Sequence, residues 1–446
     1  MRSAIRRVVD VKPGELRAML TSFAYFFFVL SSWFVLRPIR DAVAAASGAS
    51  KLSWMFAGTL TVTLLCNPLF SSLVVRFPSR RFVPFTYHFF AVNLAAFYVL
   101  LKVVAPTEGT TVDVWVGRAF FVWTSVFNMF VVSVFWCFMA DVFRSEQAKR
   151  LFGFIGLGGT LGTVAGSSAT AVLASRIGTA NLVIVSIVLL ELAVFAVSRF
   201  PADTGVHRTP EERAAETRPI GGSVWSGLTN LVRSPYLAGI ATFLVLYTVG
   251  STVLYFAQSD IVGREYPDRA SRTTVLAQIE LAAQTLTIVC QAFFTGRIIR
   301  WVGLGVALAL LPLVSIVGFT ALAFAPVFMT LAVFTVIRRG ANFALTNPSM
   351  EALFTVVSRE DKYKAKSLIE TFVYRGGDQL SAWFYAGLSA LGLTLVGISF
   401  ATVPLAAVWL MLGVWLGRRQ AVLAGDSGPA KMVLPYPEPV SEAGVG

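Results

Sequence analysis

The residues of this chain best placed to do chemistry are charges set in the wrong solvent. Arg118, Arg338, Arg339 and Arg375 fall inside otherwise apolar stretches. An ionised side chain at mid-bilayer costs roughly 3 kcal/mol even on lenient insertion scales, so such residues face protein or water and mark a functional site. In VLRPIRDAV (35–43), Arg37, Arg40 and Asp41 stand at i, i+3 and i+4 and share one helix face, with Pro38 able to kink the helix beside them. That face offers a cationic contact to an anionic solute; the alternative is an interfacial cluster in which Arg37 and Asp41 pair. Glu280, Gln284, Thr287 and Gln291 form a polar stripe, lining a cavity or hydrogen-bonding within a bundle. Arg338 and Arg339 lie a turn before Asn342. Neighbouring helical positions point about 100° apart, so one arginine is expected to face a cavity and the other to tie to an adjacent helix. In FVYRGGDQLSAWF (372–384), Arg375 and Asp378 are placed for mutual neutralisation or solute contact, and the glycines between them soften the helix. Weaker stripes run through Thr248, Thr252, Tyr255 and Ser259, and through Arg118, Ser125 and Asn128. Glu191 stands alone in its apolar stretch, to be protonated, to pair with an arginine, or to couple protons.

These residues must be positioned by about twelve apolar stretches, each long enough for a helix to cross the bilayer. They run approximately over 16–46, 51–75, 82–104, 114–141, 151–174, 181–200, 235–259, 273–299, 303–324, 326–357, 365–391 and 393–417. The composition agrees: 56% of residues are hydrophobic and 14% charged, against roughly 25% charged in soluble domains. Continuous apolarity without period-two alternation excludes a closed barrel. The fold class is therefore an all-α integral membrane protein. The net charge of +13 is not a nucleic-acid footprint, because most of the cations fall on one set of loops and tails. Clusters at Arg76, Arg80 and Arg81, at Arg144, Lys149 and Arg150, at Arg297 and Arg300, and at Arg359, Lys362, Lys364 and Lys366 predict a cytoplasmic location for that set and for both termini. Cys66, Cys137 and Cys290 all lie in apolar stretches, as free thiols. The N-terminal segment lacks the pattern of a removable signal peptide.

Six stretches precede the longest polar segment and six follow it. The expected division is an N-terminal six-helix half (1–200), a cytoplasmic linker with a short interfacial helix (201–234), a C-terminal six-helix half (235–417) and a cytoplasmic tail (418–446). Two six-helix halves joined by a cytoplasmic loop are the major-facilitator plan, in which the halves rock around a midplane site. The run GFIGLGGTLGTVAG (153–166) is not a nucleotide fingerprint, since no strand precedes it and no acidic residue follows at the right distance. Gly158, Gly162 and Gly166 instead form a small-residue face for close helix packing. No phosphate-binding P-loop, metal-ligand spacing or nucleophile–base pair is present in the sequence, so no enzymatic activity, cofactor or metal is expected. The expected partners are the lipid bilayer and a small anionic solute.

Several segments resemble those of the nucleotide (ATP:ADP) translocases and their bacterial relatives, a major-facilitator-like family. They are VLRPIRDAV, SVFWCFMADVFRSEQAKRLFGFIGLGG, RSPYLAGIA and YKAKSLIETFVYRGGDQLSAWF. The family's first-span motif is Arg-Asp-Thr-Lys-Asp; Arg37, Arg40 and Asp41 hold its first, fourth and fifth places, with Arg40 for the lysine. Near the family's fourth-span glutamate this chain has Thr124 and Asn128. Near the seventh-span glutamate it has Tyr255 and Gln258, and near the eleventh-span lysine it has Arg375 and Asp378. The resemblance implies a carrier in a bacterial cytoplasmic membrane, exchanging ATP and ADP or a related phosphorylated metabolite. The substrate site would then draw on Arg37, Arg40, Asp41, Arg118, Asn128, Tyr255, Gln258, Glu280, Gln284, Arg338, Asn342, Arg375 and Asp378. Two other expectations stand beside it. One is a proton-coupled carrier of another organic anion or drug, using Glu191, Glu280 or Asp378. The other is a membrane scaffold or sensor that transports nothing.

Overall fold

A computed structural model describes residues 12, 15–76, 79–104, 110–143, 145–200, 231, 233–293, 295–357 and 368–426. Regular structure among them is helical throughout: α1 (Glu15–Ser47), α2 (Ala49–Arg76), α3 (Ser79–Val104), α4 (Thr111–Val142), α5 (Ser145–Ile177), α6 (Thr179–Ser198), α7 (Pro235–Glu265), α8 (Arg269–Phe293), α9 (Thr295–Phe324), α10 (Phe328–Ala341), α11 (Asn347–Leu353), α12 (Tyr374–Ala390) and α13 (Leu395–Asp426). Ten helical segments among the described residues are long and apolar enough to cross a membrane, and Lys51–Cys66 within α2 is a shorter apolar helix. The outer surface carries exposed apolar side chains such as Trp54, Phe85, Val92, Met329 and Met411, as suits a multi-pass membrane protein solvated by lipid. The linker from 201 to 230, Arg144, the cluster at Arg359, Lys362, Lys364 and Lys366, and the tail beyond 426 lie outside the described residues.

The expected stretches are recovered with four local differences. The eighth ends at Phe293, not at 299. Residues from Thr295 belong to α9, which bends at Gly303, whose φ of 79° is open to a residue without Cβ. The tenth is broken: α10 gives way to a π turn (Asn342–Thr346), then to α11 and a 3-10 turn (Phe354–Val356). The eleventh is described from 368, with a π turn (Ile369–Val373) running into α12. The last helix continues to Asp426 rather than ending at 417, because GRRQAVLA carries no proline and ends in good helix formers.

The glycine repeat does what its spacing predicts. A Cβ on Gly158 would meet the Phe23 carbonyl oxygen at 2.5 Å, one on Gly166 would meet that of Ser31 at 2.5 Å, and one on Gly162 would strike that of Phe27. Positions four apart on α5 thus lie directly on positions four apart on the α1 backbone. The Ser31 hydroxyl donates to the Gly162 carbonyl (3.1 Å), and Ser32 exchanges hydrogen bonds with Ser186 on α6. Thr170 donates to the Val35 carbonyl (3.3 Å), next to the carbonyl that Pro38 leaves without its helical donor. The α1 segment bearing Arg37, Arg40 and Asp41 is therefore held by backbone contact.

Helix pairing repeats between the halves, although their sequences do not. In the first half α1 packs on α4, α5 and α6, and α3 packs on α4 and α6. In the second half α7 packs on α10, α12 and α13, and α9 packs on α10 and α13. The halves meet through α5 with α8, α1 with α8, α2 with α12, and α1 with α7. One apolar core, including Ala42, Leu52, Met55 and Phe121 with Val253, Ile261, Phe319 and Tyr385, draws on both halves where α1 and α7 end. The other two cores each belong to one half. Arg269 and Asp113 pair across the halves at 2.6 Å on the same face, and a Cβ on Gly263 would meet the Ala45 carbonyl at 2.5 Å. The protein is thus closed at the face opposite the start of α1 and the end of α13.

Candidate functional site

Three charged residues far apart in sequence reach one depth. Arg37 lies ten residues before the end of α1, and Glu280 and Arg339 lie eleven residues into α8 and α10. At 1.5 Å per residue each sits roughly 15 Å from the closed face, half of a ~30 Å hydrocarbon core. There the Glu280 carboxylate, its side chain 3% exposed, accepts from Arg37 Nη1 at 3.2 Å and from Arg339 Nη1. Gln284, one turn along, donates to Oε1 at 2.9 Å. Arg37 lies on α1 and Arg339 on α10, so one carboxylate on α8 is clamped by cations from helices on either side of the central linker.

A second cluster continues along α1. Asp41 Oδ1 accepts from Arg40 Nε (3.0 Å) and Nη2 (2.7 Å), and from the Tyr255 hydroxyl on α7 (2.9 Å). Arg37 Nε stands 4.0 Å from Asp41 Oδ2. The Arg40 guanidinium lies over Trp33 and Phe121, and that of Arg37 over Phe34. The pairing of Arg37 with Asp41 is thus a weak contact beside a stronger bridge between halves. Arg40 is the residue that pairs with Asp41.

Arg338 and Arg339 divide as the helix geometry requires. Arg338 is buried and turned into its own half. Nε donates to Ser315 (3.2 Å), both terminal nitrogens to Ser251 (3.1 Å) and Nη2 to the Tyr247 carbonyl (3.3 Å). No carboxylate neutralises it among the described residues. Arg339 turns the other way and reaches Glu280 on α8. Asn342 begins the π turn and donates to the Tyr247 hydroxyl at 3.2 Å. Such single π turns inside helices often mark functional positions. Arg338, Tyr247, Tyr374 and Arg375 form a row of two rings between two cations: 5.4 Å from Arg338 to the Tyr247 centroid, 6.3 Å between rings, and 5.9 Å from Tyr374 to Arg375. Tyr247, Ser251, Ser315 and Tyr374 were not singled out from the sequence; tyrosines and serines in apolar helices carry little signal by themselves.

The other expected residues fall into three groups. Gln258 is buried one turn from Tyr255 and Asn128 is half-buried on α4, and the bonds of the charged network do not include either among the described residues. Arg375 and Asp378 share α12 but form no ion pair with each other; the softened turn presents the guanidinium to Tyr374. Arg118 and Glu191 lie elsewhere. Arg118 is only seven residues into α4 and stacks 5.0 Å over Trp115, near the closed face. Glu191 is 3.0 Å from His88 Nδ1, not from an arginine, with side chains 41% and 55% exposed on the lipid-facing side of α6 and α3. The shallow groove beside Glu191, about 360 Å³, is lined by Ile187, Val188, Leu192 and Phe195 and lies outside the cleft.

Among the described residues, the charged network between the halves holds Arg37, Arg40 and Arg339 against Asp41 and Glu280, and Arg338 is buried apart from it on serine and carbonyl partners. Cation exceeds anion in a place where uncompensated charge is expensive. Guanidinium forks suit the planar or tetrahedral oxygens of carboxylate and phosphate.

Comparison with known proteins agrees with this architecture. The chain is 21% identical to ADP,ATP carrier protein 1 of Chlamydia pneumoniae, covering 91% of this chain and 90% of that protein. It is likewise 21% identical to ADP,ATP carrier protein 1 of Chlamydia muridarum, covering 90% and 87%. Among solved structures it resembles a bacterial homologue of the iron transporter ferroportin in an inward-facing state, with a TM-score of 0.63 at 12% identity, covering 91% of this chain and 100% of that one. It also resembles the nucleoside transporter NupG, with a TM-score of 0.57 at 13% identity, covering 92% and 99%. These structural likenesses concern the fold. The family model for the Major Facilitator Superfamily matches residues 20–378, and the chain belongs to that superfamily of membrane transporters.

Proposed function

We propose that this protein is a secondary transporter of an anionic solute, a nucleotide or a related phosphorylated metabolite, working by alternating access. The observation that carries the reading is the excess of buried arginine at mid-bilayer depth, with Arg37 and Arg339 reaching one carboxylate from opposite halves. A solute bearing phosphate oxygens supplies the missing negative charge and gives both halves a common ligand, which is the condition for rocking them around it. The similarity to proteins named ADP,ATP carriers favours a nucleotide among such solutes. The basic loops favour cytoplasmic termini, and the face closed by Arg269 and Asp113 would then lie on the other side of the membrane.

The test is uptake of labelled ATP into proteoliposomes preloaded with ADP, beside empty vesicles. Uptake into loaded vesicles supports nucleotide exchange; no uptake in either, with folded protein confirmed, removes it. A second reading, a proton-coupled carrier of another organic anion, is favoured by Glu280, a carboxylate already inside the cationic clamp. Uptake that follows a pH gradient without internal nucleotide distinguishes it.

A further inference from the structure

We infer that Glu280 is a tethered stand-in for the substrate's anionic group: an incoming anion displaces it from Arg37 and Arg339, and the displaced carboxylate takes up a proton. This deepens the transport reading above and rests on it.

The geometry is that of an occupied anion site. The Glu280 carboxylate is held by an arginine from each half and by the Gln284 amide, with its side chain 3% exposed. A carboxylate or phosphate entering between Arg37 and Arg339 competes for the same N–H donors, because each guanidinium has a limited fork directed at one acceptor. Those cations are the more accessible groups, with side chains 18% and 19% exposed, whereas Glu280 is more deeply buried. Solute therefore reaches the arginines first and leaves the glutamate behind them.

Once displaced, Glu280 has little else to hold a negative charge. On its own helix the nearest polar neighbour is Gln284, a neutral donor. From α1 it meets Arg37, whose donors are then engaged, with Arg40 already bound to Asp41 and Asp41 itself repulsive. From α10 it meets Arg339, also engaged, while Arg338 is turned away to Ser251 and Ser315. From α7 the Tyr255 hydroxyl is given to Asp41. The remaining large contact of α8 is α5, which bears no charged residue between Arg150 and Arg176. A carboxylate stripped of its cations in such surroundings is neutralised by protonation. The balance is simple: one anionic group replaces another at the arginines, and one proton passes from cleft water to the Glu280 carboxylate. Each bound solute is then accompanied by one proton, and when the solute leaves, Glu280 returns to the arginines and gives that proton back to water.

The experiment is calorimetric titration of the purified full-length protein with ADP at pH 8, in two buffers of different ionisation enthalpy. At this pH the terminal phosphate, whose second pKa is about 6, is fully ionised, so protons taken up belong to the protein. The expected result is uptake of about one proton per ADP bound, as protonation of one displaced carboxylate requires. In Glu280→Gln that uptake is lost and ADP binds more tightly, because the tethered competitor is gone. Binding of ADP to the natural protein with no proton uptake overturns the inference and leaves the nucleotide reading intact; this measurement does not depend on the variant folding. Equal proton uptake by Glu280→Gln overturns it as well. Absence of binding by ADP, ATP, AMP and inorganic phosphate to folded protein overturns the transport reading on which the inference rests.

Discussion

Closure of the face opposite the chain ends depends on an ion pair that can be removed without touching the cleft. Arg269 Nη2 meets Asp113 Oδ1 at 2.6 Å, with side chains 15% and 6% exposed. Asp113 is in the first turn of α4 and Arg269 begins α8, so the bond crosses between the halves. Asp113→Asn keeps the shape and removes the charge. A hydrogen bond to a charged group contributes about 1.5–3 kcal/mol, and every 1.4 kcal/mol is tenfold, so the ratio of states open and closed at this face shifts roughly 10- to 100-fold toward open. The reporter is Met55→Cys, in a background with Cys66, Cys137 and Cys290 replaced by serine. Met55 is 4% exposed within the core shared by the halves. A membrane-impermeant maleimide reaches it only when that core parts, so its labelling rate rises by the same factor as the open population. An unchanged labelling rate in folded protein would refute the argument that this pair holds the face shut.

Other outcomes follow from single contacts. Gly162→Val drives side-chain atoms into the Phe27 carbonyl and should destabilise the α1–α5 contact by about 1–3 kcal/mol, read as a lower Tm and reduced uptake; an unchanged Tm would mean that the helices separate freely. Tyr255→Phe removes the hydroxyl donated to Asp41 at 2.9 Å and should weaken ADP affinity severalfold, on the scale of about 1 kcal/mol for a hydrogen bond, measured by calorimetry. Arg338→Met leaves Ser251, Ser315 and the Tyr247 carbonyl without their donor; a loss of about 3 kcal/mol in stability is expected, on the scale of buried-network disruption, checked by thermal unfolding. Asp268, between spans, accepts from the Ser271 amide at 2.7 Å at the start of α8. Its hydrogen bonds to Ser271 hold its carboxyl below the usual carboxylate range. A lowered folded pKa means that the cap's contribution is complete above the ordinary aspartate value and fades as pH falls through the folded one. Asp268→Ala should therefore lower Tm at neutral pH, with the difference shrinking in acid.

What the sequence made legible was what local spacing controls. Arg37, Arg40 and Asp41 share a face because i, i+3 and i+4 do, and Gly158, Gly162 and Gly166 meet the α1 backbone because small residues four apart must. The Glu280–Gln284 stripe is also a property of one helix. The partner of Glu280 was not legible, since Arg37 lies 243 positions away and only the packing of α1 on α8 brings them together. The same holds for Tyr255 with Asp41. Arg118 and Glu191 show the converse: an apolar sequence context marks a charge as costly but says nothing of azimuth or depth. The first proved close to a helix end and the second faced outward to a histidine of α3. The π turns were hidden because Asn342–Thr346 and Ile369–Val373 are as helix-compatible in composition as their neighbours, and their register is set by surrounding helices.

The central claim is that arginines from the two halves carry an anionic solute through the cleft, and the most direct measurement is accumulation of labelled ATP by proteoliposomes preloaded with ADP. The account predicts uptake into loaded vesicles that is abolished in Arg40→Ala and in Arg339→Ala while both variants remain folded. Uptake at the unaltered rate in those variants, or none by the natural protein for ATP, ADP, AMP or inorganic phosphate, would contradict it.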